Sequence, residues 1–260
     1  MNAALLAVSG LSKRFRRGGA VFEAVADVSF DLAVGETLAV LGPSGSGKST
    51  LARLLLRLIE PDVGAIRFDG MDLLALRGTE LRRKRAALQM VFQDPLAAFN
   101  PRATVGAVLA DPLRIHAIVP RAGRADAVTS LLRDVGLPPD LAARSDRDVS
   151  GGQRQRIAIA RALATRPKLI VLDEPVSALD VSTRRQVLEL LVDLQLTRGI
   201  AMLFITHDLT AARMVADRIV VLDHGRIVES GPAAEVLASP RSAEARALVT
   251  AANRPAAAPG

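Results

Sequence analysis

Apolar residues along this chain fall into short runs and longer periodic stretches. Thr37 to Leu41 is a short apolar run ending in Gly42, and Leu169 to Leu172 is continuously apolar, so both predict buried strands. Further strands are expected at Leu5 to Ser9, Val28 to Leu32, Ala65 to Phe68, Leu88 to Phe92 and Met202 to Ile205, with Gly18-Gly19 as a turn after the first. Arg218 to Leu222 and Arg226 to Glu229 predict a hairpin around His224-Gly225. Helical spacing appears from Lys48 to Ile59, before Pro61, and from Val105 to Gly136 with breaks near Pro120 and Gly123. Gly152 to Thr165 places Ile157, Ala160, Leu163 and Ala164 on one face; Ser182 to Leu196 and Ala211 to Ala216 are also helical. Asp94 to Pro101 and Leu137 to Val149 read as loops.

Strands alternate with helices at both ends, while the middle is helical. This predicts an α/β core with an inserted helical subdomain at about 94–155, inside a domain spanning 1–240. A tail covers 241–260; its Pro- and Ala-rich end, Arg254 to Gly260, is expected to be disordered. There is no internal repeat.

Charge and composition narrow the classes. The net charge of +7 and pI near 10.9 would suit an anionic partner. The one tight basic run, Arg82-Arg83-Lys84-Arg85, reads as the solvated face of a short helix, and seven Phe with no Tyr or Trp are too few for a single-strand stacking platform. Nucleic acid is therefore not the expected partner. No apolar run approaches the ~20 residues that span a bilayer, and Met1 to Gly10 lacks the basic leader of a signal peptide, so a membrane role would be peripheral. The absence of Cys excludes disulfides and thiolate metal sites.

The chemistry starts at Gly42-Pro43-Ser44-Gly45-Ser46-Gly47-Lys48-Ser49, followed by Thr50. Glycines let backbone N–H groups converge on phosphates, and the helix that begins near Lys48 points its positive end at the same anion. Lys48 is placed to reach the β- and γ-phosphates, and the Ser49 hydroxyl to ligate Mg²⁺. An apolar strand before the loop and an amphipathic helix after it complete the context, so ATP is the expected ligand.

Asp173 and Glu174 follow the apolar run Leu169 to Leu172. Acids at the carboxyl end of a buried strand sit where α/β sheets bind ligands. Asp173 is placed to hold Mg²⁺ through water, and Glu174 to orient or deprotonate an attacking water. Alone, two such acids could equally be a solvated strand end. Ser150-Gly151-Gly152-Gln153, before the helix to Thr165, is a second small, glycine-rich helix N-terminus. One triphosphate does not need two such loops, so the second is expected to cap a nucleotide held by another subunit.

With these residues the sequence closely resembles the ATP-binding-cassette family from about Leu5 to about Leu237. Val149-Ser150-Gly151-Gly152-Gln153 matches the family signature, with Val in place of the usual Leu. The resemblance implies a RecA-like P-loop NTPase core with an N-terminal antiparallel β subdomain and the inserted helices. It implies that Gln93 senses Mg²⁺ and faces the transport partner, and that Ser177-Ala178-Leu179-Asp180 couples two sites across a dimer. His207 would contact the γ-phosphate, and Phe15 would stack on adenine, with Phe22 as runner-up for that role. His116 and His224 match nothing and read as surface residues.

The segments Met90 to Pro95 and Phe99 to Arg102 are similar to the subgroup that powers bacterial oligopeptide, dipeptide and nickel importers. Peptide-type members usually continue with a Cys-containing segment and carry His-Pro-Tyr-Thr near Pro240, where this chain has Arg241-Ser242-Ala243-Glu244. That favours a short nickel-type or divergent peptide-type subunit. The resemblance implies an ATPase on the cytoplasmic face of the cell membrane. It would form a head-to-tail dimer with itself or a paralogue, bound to two transmembrane permeases and served indirectly by a solute-binding protein. The rival is a soluble cassette ATPase acting on nucleic acid or ribosomes; such proteins carry long coiled coils or a second cassette, and neither is present here.

Overall fold

The computed structural model describes residues 4–94, 102–145 and 148–252. They divide into two compact units, one formed by 1–74 with 203–260 and the other by 75–202.

The first unit opens with an antiparallel sheet ordered β2-β1-β4-β5, from β1 (Leu6–Arg17), β2 (Ala20–Leu32), β4 (Val63–Phe68) and β5 (Met71–Asp72). Gly18 and Gly19 both adopt positive φ, the geometry of a tight two-residue hairpin, so Arg17 pairs with Ala20 and Phe15 with Phe22. The two strands run up to this turn and are far longer than their apolar runs. Polar residues such as Lys13, Arg14 and Arg16 in β1 and Glu23 and Asp27 in β2 interrupt the apolar pattern, which hid their length. Leu6, Leu11, Val28, Leu32, Ile66 and Phe68 are fully buried. The pairing of β1 with β4 shifts register between Ser9 and Ser12, and Gly64 crosses that irregularity. A Cβ on Gly64 would lie 2.6 Å from Gly10 O and from Leu11 Cα.

The other strands of this unit are β3 (Thr37–Leu41), β8 (Ala201–Ile205, from Leu203 on), β9 (Arg218–Asp223) and β10 (Arg226–Pro232), ordered β10-β9-β3-β8. β3 runs parallel to β9, from Leu38 opposite Arg218 to Leu41 opposite Val221, and every β3 residue is buried, as an apolar run covered on both faces requires. Helix α1 (Lys48–Leu55) follows β3, and α7 (Leu209–Val215) follows β8. α1 stops four residues short of the expected Ile59. Arg57 takes a left-handed φ of 52° and is buried, with Leu58 N donating to Arg53 O and Arg57 N to Leu54 O, which closes the helix in a Schellman turn. The Arg57 guanidinium then donates to Leu73 O and pairs with Glu60.

Two helices had no forecast in the apolar pattern: α8 (Ala233–Ala238) and α9 (Ala243–Ala252). Val236 and Ala245 join Ala39, Leu41, Leu209 and Val221 in one apolar cluster. The start of α9 is held by Glu229 of β10, which accepts from Arg241 N, Ser242 N and Ser242 Oγ. Burial pushes the Glu229 carboxyl up, but these bonds outweigh it and hold the group below its ordinary range.

The second unit holds β6 (Leu88–Val91) parallel to β7 (Leu169–Asp173), with Leu88 opposite Leu169 and Val91 opposite Leu172. Its helices are α2 (Gly78–Ala86), α3 (Val105–Ile115), α4 (Arg124–Asp134), α5 (Gly151–Leu163) and α6 (Val181–Arg198). A 3₁₀ turn at Arg121–Gly123 separates α3 from α4, where Pro120 and Gly123 predicted a break. α2 buries no residue, in keeping with its basic run. Arg82 nonetheless donates to Ile115 O at the end of α3. His116, read as a surface residue, is half-buried beside it; burial, then the Arg82 charge, lowers its pKa. α5 is buried beyond its predicted face, since Gln155, Ile159 and Ala162 are covered too. No helix among the described residues is long and apolar enough to cross a membrane.

Two glycines test the tight β1–β4 approach. Gly64→Ala is expected to cost ~2–4 kcal/mol in denaturant unfolding, because the methyl meets backbone on a positive-φ residue. Gly70→Ala, also at positive φ but with nothing within 4 Å, should cost only about 1 kcal/mol. Equal losses would mean that the strands are not this close.

Candidate nucleotide site

In the first unit, β3 ends at Leu41 and the chain enters the loop from Gly42 to Gly47 before α1 begins at Lys48. Glycine is required at two of these positions by backbone contact. A Cβ on Gly42 would lie 2.1 Å from Leu222 O, and one on Gly47 2.1 Å from Ala24 O. Gly47 is the N-cap of α1 at φ 105°, with no side chain capping the helix. The amides of the first turn are thus not masked by a cap, as an anion site at a helix N-terminus needs.

Lys48 is buried and folds back over the loop, its Nζ donating to Gly42 O and Pro43 O at 2.8 Å. The Ser46 hydroxyl is buried without a hydrogen-bond partner among the described residues. An orphaned hydroxyl and a lysine held on carbonyls, in a cradle that a Cβ would obstruct, fit a phosphate group. Pro43, Ser44 and Gly45 are exposed on the loop, as is Ser49; Thr50 is half-buried.

The loop is propped from behind by residues that the sequence did not mark as part of the site. Gly225 N donates to Ser46 O at 2.9 Å, and Ala26 N donates to Gly225 O at 2.8 Å. Gly225 thus ties β2 to the phosphate loop through the β9–β10 turn. Its positive φ and neighbouring His224 were legible as a turn, but not the surface that the turn meets. The His224 side chain itself is exposed, as read.

His207 is exposed at the end of β8. Thr206 N donates to Val40 O, which sets this strand end beside the β3 end that feeds the loop. Asp208 fixes the turn by accepting from Thr210 N and Ala211 N. Phe15 and Phe22 lie side by side on the β1–β2 hairpin, ring centroids 5.7 Å apart and 28° from parallel. Phe15 is half-buried and Phe22 is 49% exposed, so Phe22 is the more open ring. Lys13 Nζ sits 5.7 Å from the Phe15 centroid and is anchored by Asp62 at 2.8 Å.

In the second unit, β7 ends in buried Asp173. Glu174 follows at φ 47°, a left-handed conformation unusual for a residue with a side chain. Ser177 holds the turn, its N and Oγ donating to Glu174 O at 3.3 and 3.1 Å. Because β6 and β7 are parallel neighbours, Gln93 emerges at the same end, and its Nε2 reaches Glu174 Oε2 at 3.5 Å, the outer limit of a hydrogen bond.

The second glycine loop caps α5 with its own side chains. Ser150 Oγ accepts from Gln153 N at 3.3 Å, and Gln153 Oε1 accepts from Ser150 N at 3.0 Å, a reciprocal capping box. The two glycines differ. Gly152 is buried, and a Cβ there would meet Thr183 Cγ2 at 2.2 Å, so packing against α6 demands it. Gly151 is exposed, with only Leu179 Cδ2 nearby at 3.8 Å. Thr183 N in turn donates to Asp180, the N-cap of α6. Ser182 Oγ also donates to Asp180 at 2.7 Å, and this bond, with that from Thr183 N, holds the Asp180 carboxyl far below the usual range.

No group of three or more His, Cys, Asp or Glu side chains able to hold a metal occurs among the described residues.

A strand, a glycine loop, a lysine at the start of a helix and acids at a buried strand end together define a nucleoside-triphosphate-hydrolysing cassette. A family model described as ABC transporter matches residues 25–177, and the chain belongs to the ABC transporter family. Its fold is the P-loop NTPase cassette of that family, with the antiparallel β and helical parts described above. It is 47% identical, over 98% of its length and 74% of the relative's, to the probable peptide ABC transporter ATP-binding protein y4tS of Sinorhizobium fredii. It is also 48% identical, over 94% of its length and 38% of the relative's, to the glutathione import ATP-binding protein GsiA of Escherichia coli. Among solved structures, the ATP-binding cassette MJ0796, a dimer in a post-hydrolysis state bound to ADP and Pi, matches with a TM-score of 0.80 at 29% identity, covering 88% of this chain and 98% of that one. The chain binds and hydrolyses ATP.

The prop behind the loop yields a prediction. A methyl on Gly225 would stand 3.0 Å from the Ala24 carbonyl at φ 77°. Gly225→Ala should weaken binding of a fluorescent ATP analogue at least ~10-fold, by displacing the Ser46 carbonyl contact, an effect of about 1.4 kcal/mol. Unchanged affinity would show that the turn does not position the loop.

Proposed function

We propose that the chain is the ATPase subunit of a bacterial importer for short peptides or a similar small solute. Two cassettes would close head to tail, each ATP lying between the Lys48 loop of one and the Ser150 loop of the other. The observation that carries this is the second helix start. Ser150 and Gly151 are exposed at a second glycine-rich helix N-terminus beyond what one triphosphate requires, where the reciprocal cap occupies the Ser150 and Gln153 amides.

The roles of the residues follow motif by motif. Gly42 to Gly47 would present amides to the phosphates, with Ser49 and Thr50 on the first turn behind them. Lys48 would neutralise charge developing on the β- and γ-phosphates. Glu174 would take a proton from water as its oxygen attacks the γ-phosphorus and ADP leaves; the left-handed turn and Gln93 hold its carboxylate in place. His207 would contact the γ-phosphate. Phe15 and Phe22 would offer adenine an aromatic surface, Phe22 being the more open of the two. Ser49, Asp173 and Gln93 would hold Mg²⁺, which supplies electrostatic neutralisation of the phosphates. Asp180, locked as a helix cap against the α5 start through Thr183 and Gly152, would report closure from one site to the other.

Gln93 and the segment after it would pass the opening and closing motion to two permeases at the cytoplasmic face of the membrane, where the chain would sit peripherally. Residues 95–101 of that segment lie outside those described. A solute-binding protein would deliver the cargo. Relatives named for peptide and glutathione import support a peptide cargo over nickel, which rests on the C-terminal resemblance alone, and they weigh against a nucleic-acid-directed ATPase.

Replacing the base, Glu174→Gln, should lower ATP turnover ~10²–10⁴-fold; turnover near wild type would remove Glu174 from this role. Ser150→Arg should leave ATP binding to the single subunit intact while blocking ATP-driven dimerisation, seen by light scattering. Equal loss of both would refute a site shared between subunits.

A further inference from the structure

Within the second unit, α5 and α6 meet at more than their starts. Beyond the contact of Gly152 with Thr183, Arg156 of α5 donates from one guanidinium nitrogen to Gln186 Oε1 of α6 at 2.8 Å. Gly152 and Arg156, four residues apart, share a face of α5; Thr183 and Gln186, three apart, share a face of α6. The two helices are thus joined at successive turns. One contact is a pivot, and the second fixes the angle.

The other terminal nitrogen of Arg156 donates to Val135 O at 3.2 Å, at the end of α4. Carbonyls at a helix end lack an intrahelical partner and lie at the negative end of the helix dipole, so a guanidinium suits them. Gly136 follows at φ 67°, and a Cβ there would stand 2.9 Å from that same nitrogen. Asp134, the last residue of α4, pairs with Arg198, the last of α6, at 2.7 Å. The α4 end is therefore fastened to α6 without Arg156, and Arg156 fastens α5 to both. Gln186 is exposed, and a hydrogen bond in contact with water adds little to stability. What the fork supplies is direction, because a planar guanidinium can hold acceptors on two helices at once.

We infer that Arg156 is a positioning residue for the nucleotide site shared between subunits: it sets the angle of α5 on α6, so that Ser150 and Asp180, which begin these helices, face the other subunit together. This rests on the head-to-tail reading above. Arg156 and Gln186 are each the sixth residue after their helix cap, so the fork stands about 9 Å behind both starts. Without it, α5 turns about the Gly152 contact and its start changes direction. The Lys48 loop belongs to the first unit and keeps its own bracing.

The full chain with Arg156→Met, which removes both donors and keeps the stem, tests this. ATP-driven dimerisation, followed by light scattering, should need ~10-fold more protein, while a fluorescent ATP analogue binds the single subunit within about twofold of wild type. At saturating protein, kcat should stay within about twofold, and the melting temperature should fall by no more than about 3 °C. Gln186→Leu, at an exposed position that spares the α4 end, should raise the protein requirement ~3-fold and add less than about twofold to Arg156→Met, since both act on one contact. Arg156→Lys should stay near Arg156→Met, because an ammonium has no fork. The role is overturned if Arg156→Met dimerises like wild type, if Arg156→Lys restores dimerisation, or if analogue affinity falls by the same factor. Full additivity of Arg156→Met with Gln186→Leu also overturns it. Ser150→Arg separates the two ideas: dimerisation that survives it removes the shared site itself, whereas a block by Ser150→Arg with none by Arg156→Met removes only the role of Arg156.

Discussion

The site depends on backbone contact at two glycines. Gly42 and Gly47 press against the carbonyls of Leu222 and Ala24 so closely that no side chain fits between. This contact fixes the path of the chain leaving β3 and seats the loop on β9 and β2. Gly225 completes the brace by hydrogen-bonding both ways, to the Ser46 carbonyl and from the Ala26 amide. Residues far apart in sequence thus hold the loop from Gly42 to Gly47 in one shape. Lys48, resting on the Gly42 and Pro43 carbonyls, is already ordered over the loop, which limits the entropy lost when phosphate is bound.

The second unit uses caps to reach a comparable end. Ser150 with Gln153 closes α5, and Asp180 with Ser182 and Thr183 closes α6. The two starts are pressed together where Gly152 meets Thr183. A motion of either helix start is therefore felt by the other. The acid end of β7 stands next to this pair through the cleft that Gln155 and Glu174 share. Local hydrogen bonds that would count as ordinary helix stabilisation thereby also fix where the two helix starts stand against each other.

Much of this was readable from the chain. The apolar runs at Thr37 to Leu41 and Leu169 to Leu172 are buried strands, and Pro120 and Gly123 do divide two helices. Such features are local: burial on both faces, or a backbone that cannot continue a helix, is written in a few adjacent residues. Other features were not readable for an equally physical reason. Helix α9 is capped by Ser242, whose Oγ accepts from Ala245 N, but that serine is itself held by Glu229, twelve residues before Arg241, and nothing adjacent in the chain announces so distant an acid. The end of α1 at Arg57 relies on a buried guanidinium meeting Leu73 O, where a glycine would have been the visible signal.

The motifs by themselves determined the chemistry: a glycine loop with Lys48, acids at a strand end, and a second glycine-rich helix start specify ATP and its hydrolysis by residue type and spacing. Only the tertiary structure decided what each glycine is for. Gly47 and Gly152 are required by the carbonyl of Ala24 and the methyl of Thr183, while Gly151 stays open to solvent. It also decided that Gly225 braces the phosphate loop and that Gln155, buried on α5, lines the same cleft as Glu174. Spacing along a chain encodes which groups a helix or turn will present. Which surface those groups meet depends on contacts between distant segments, and these exist only once the chain has folded.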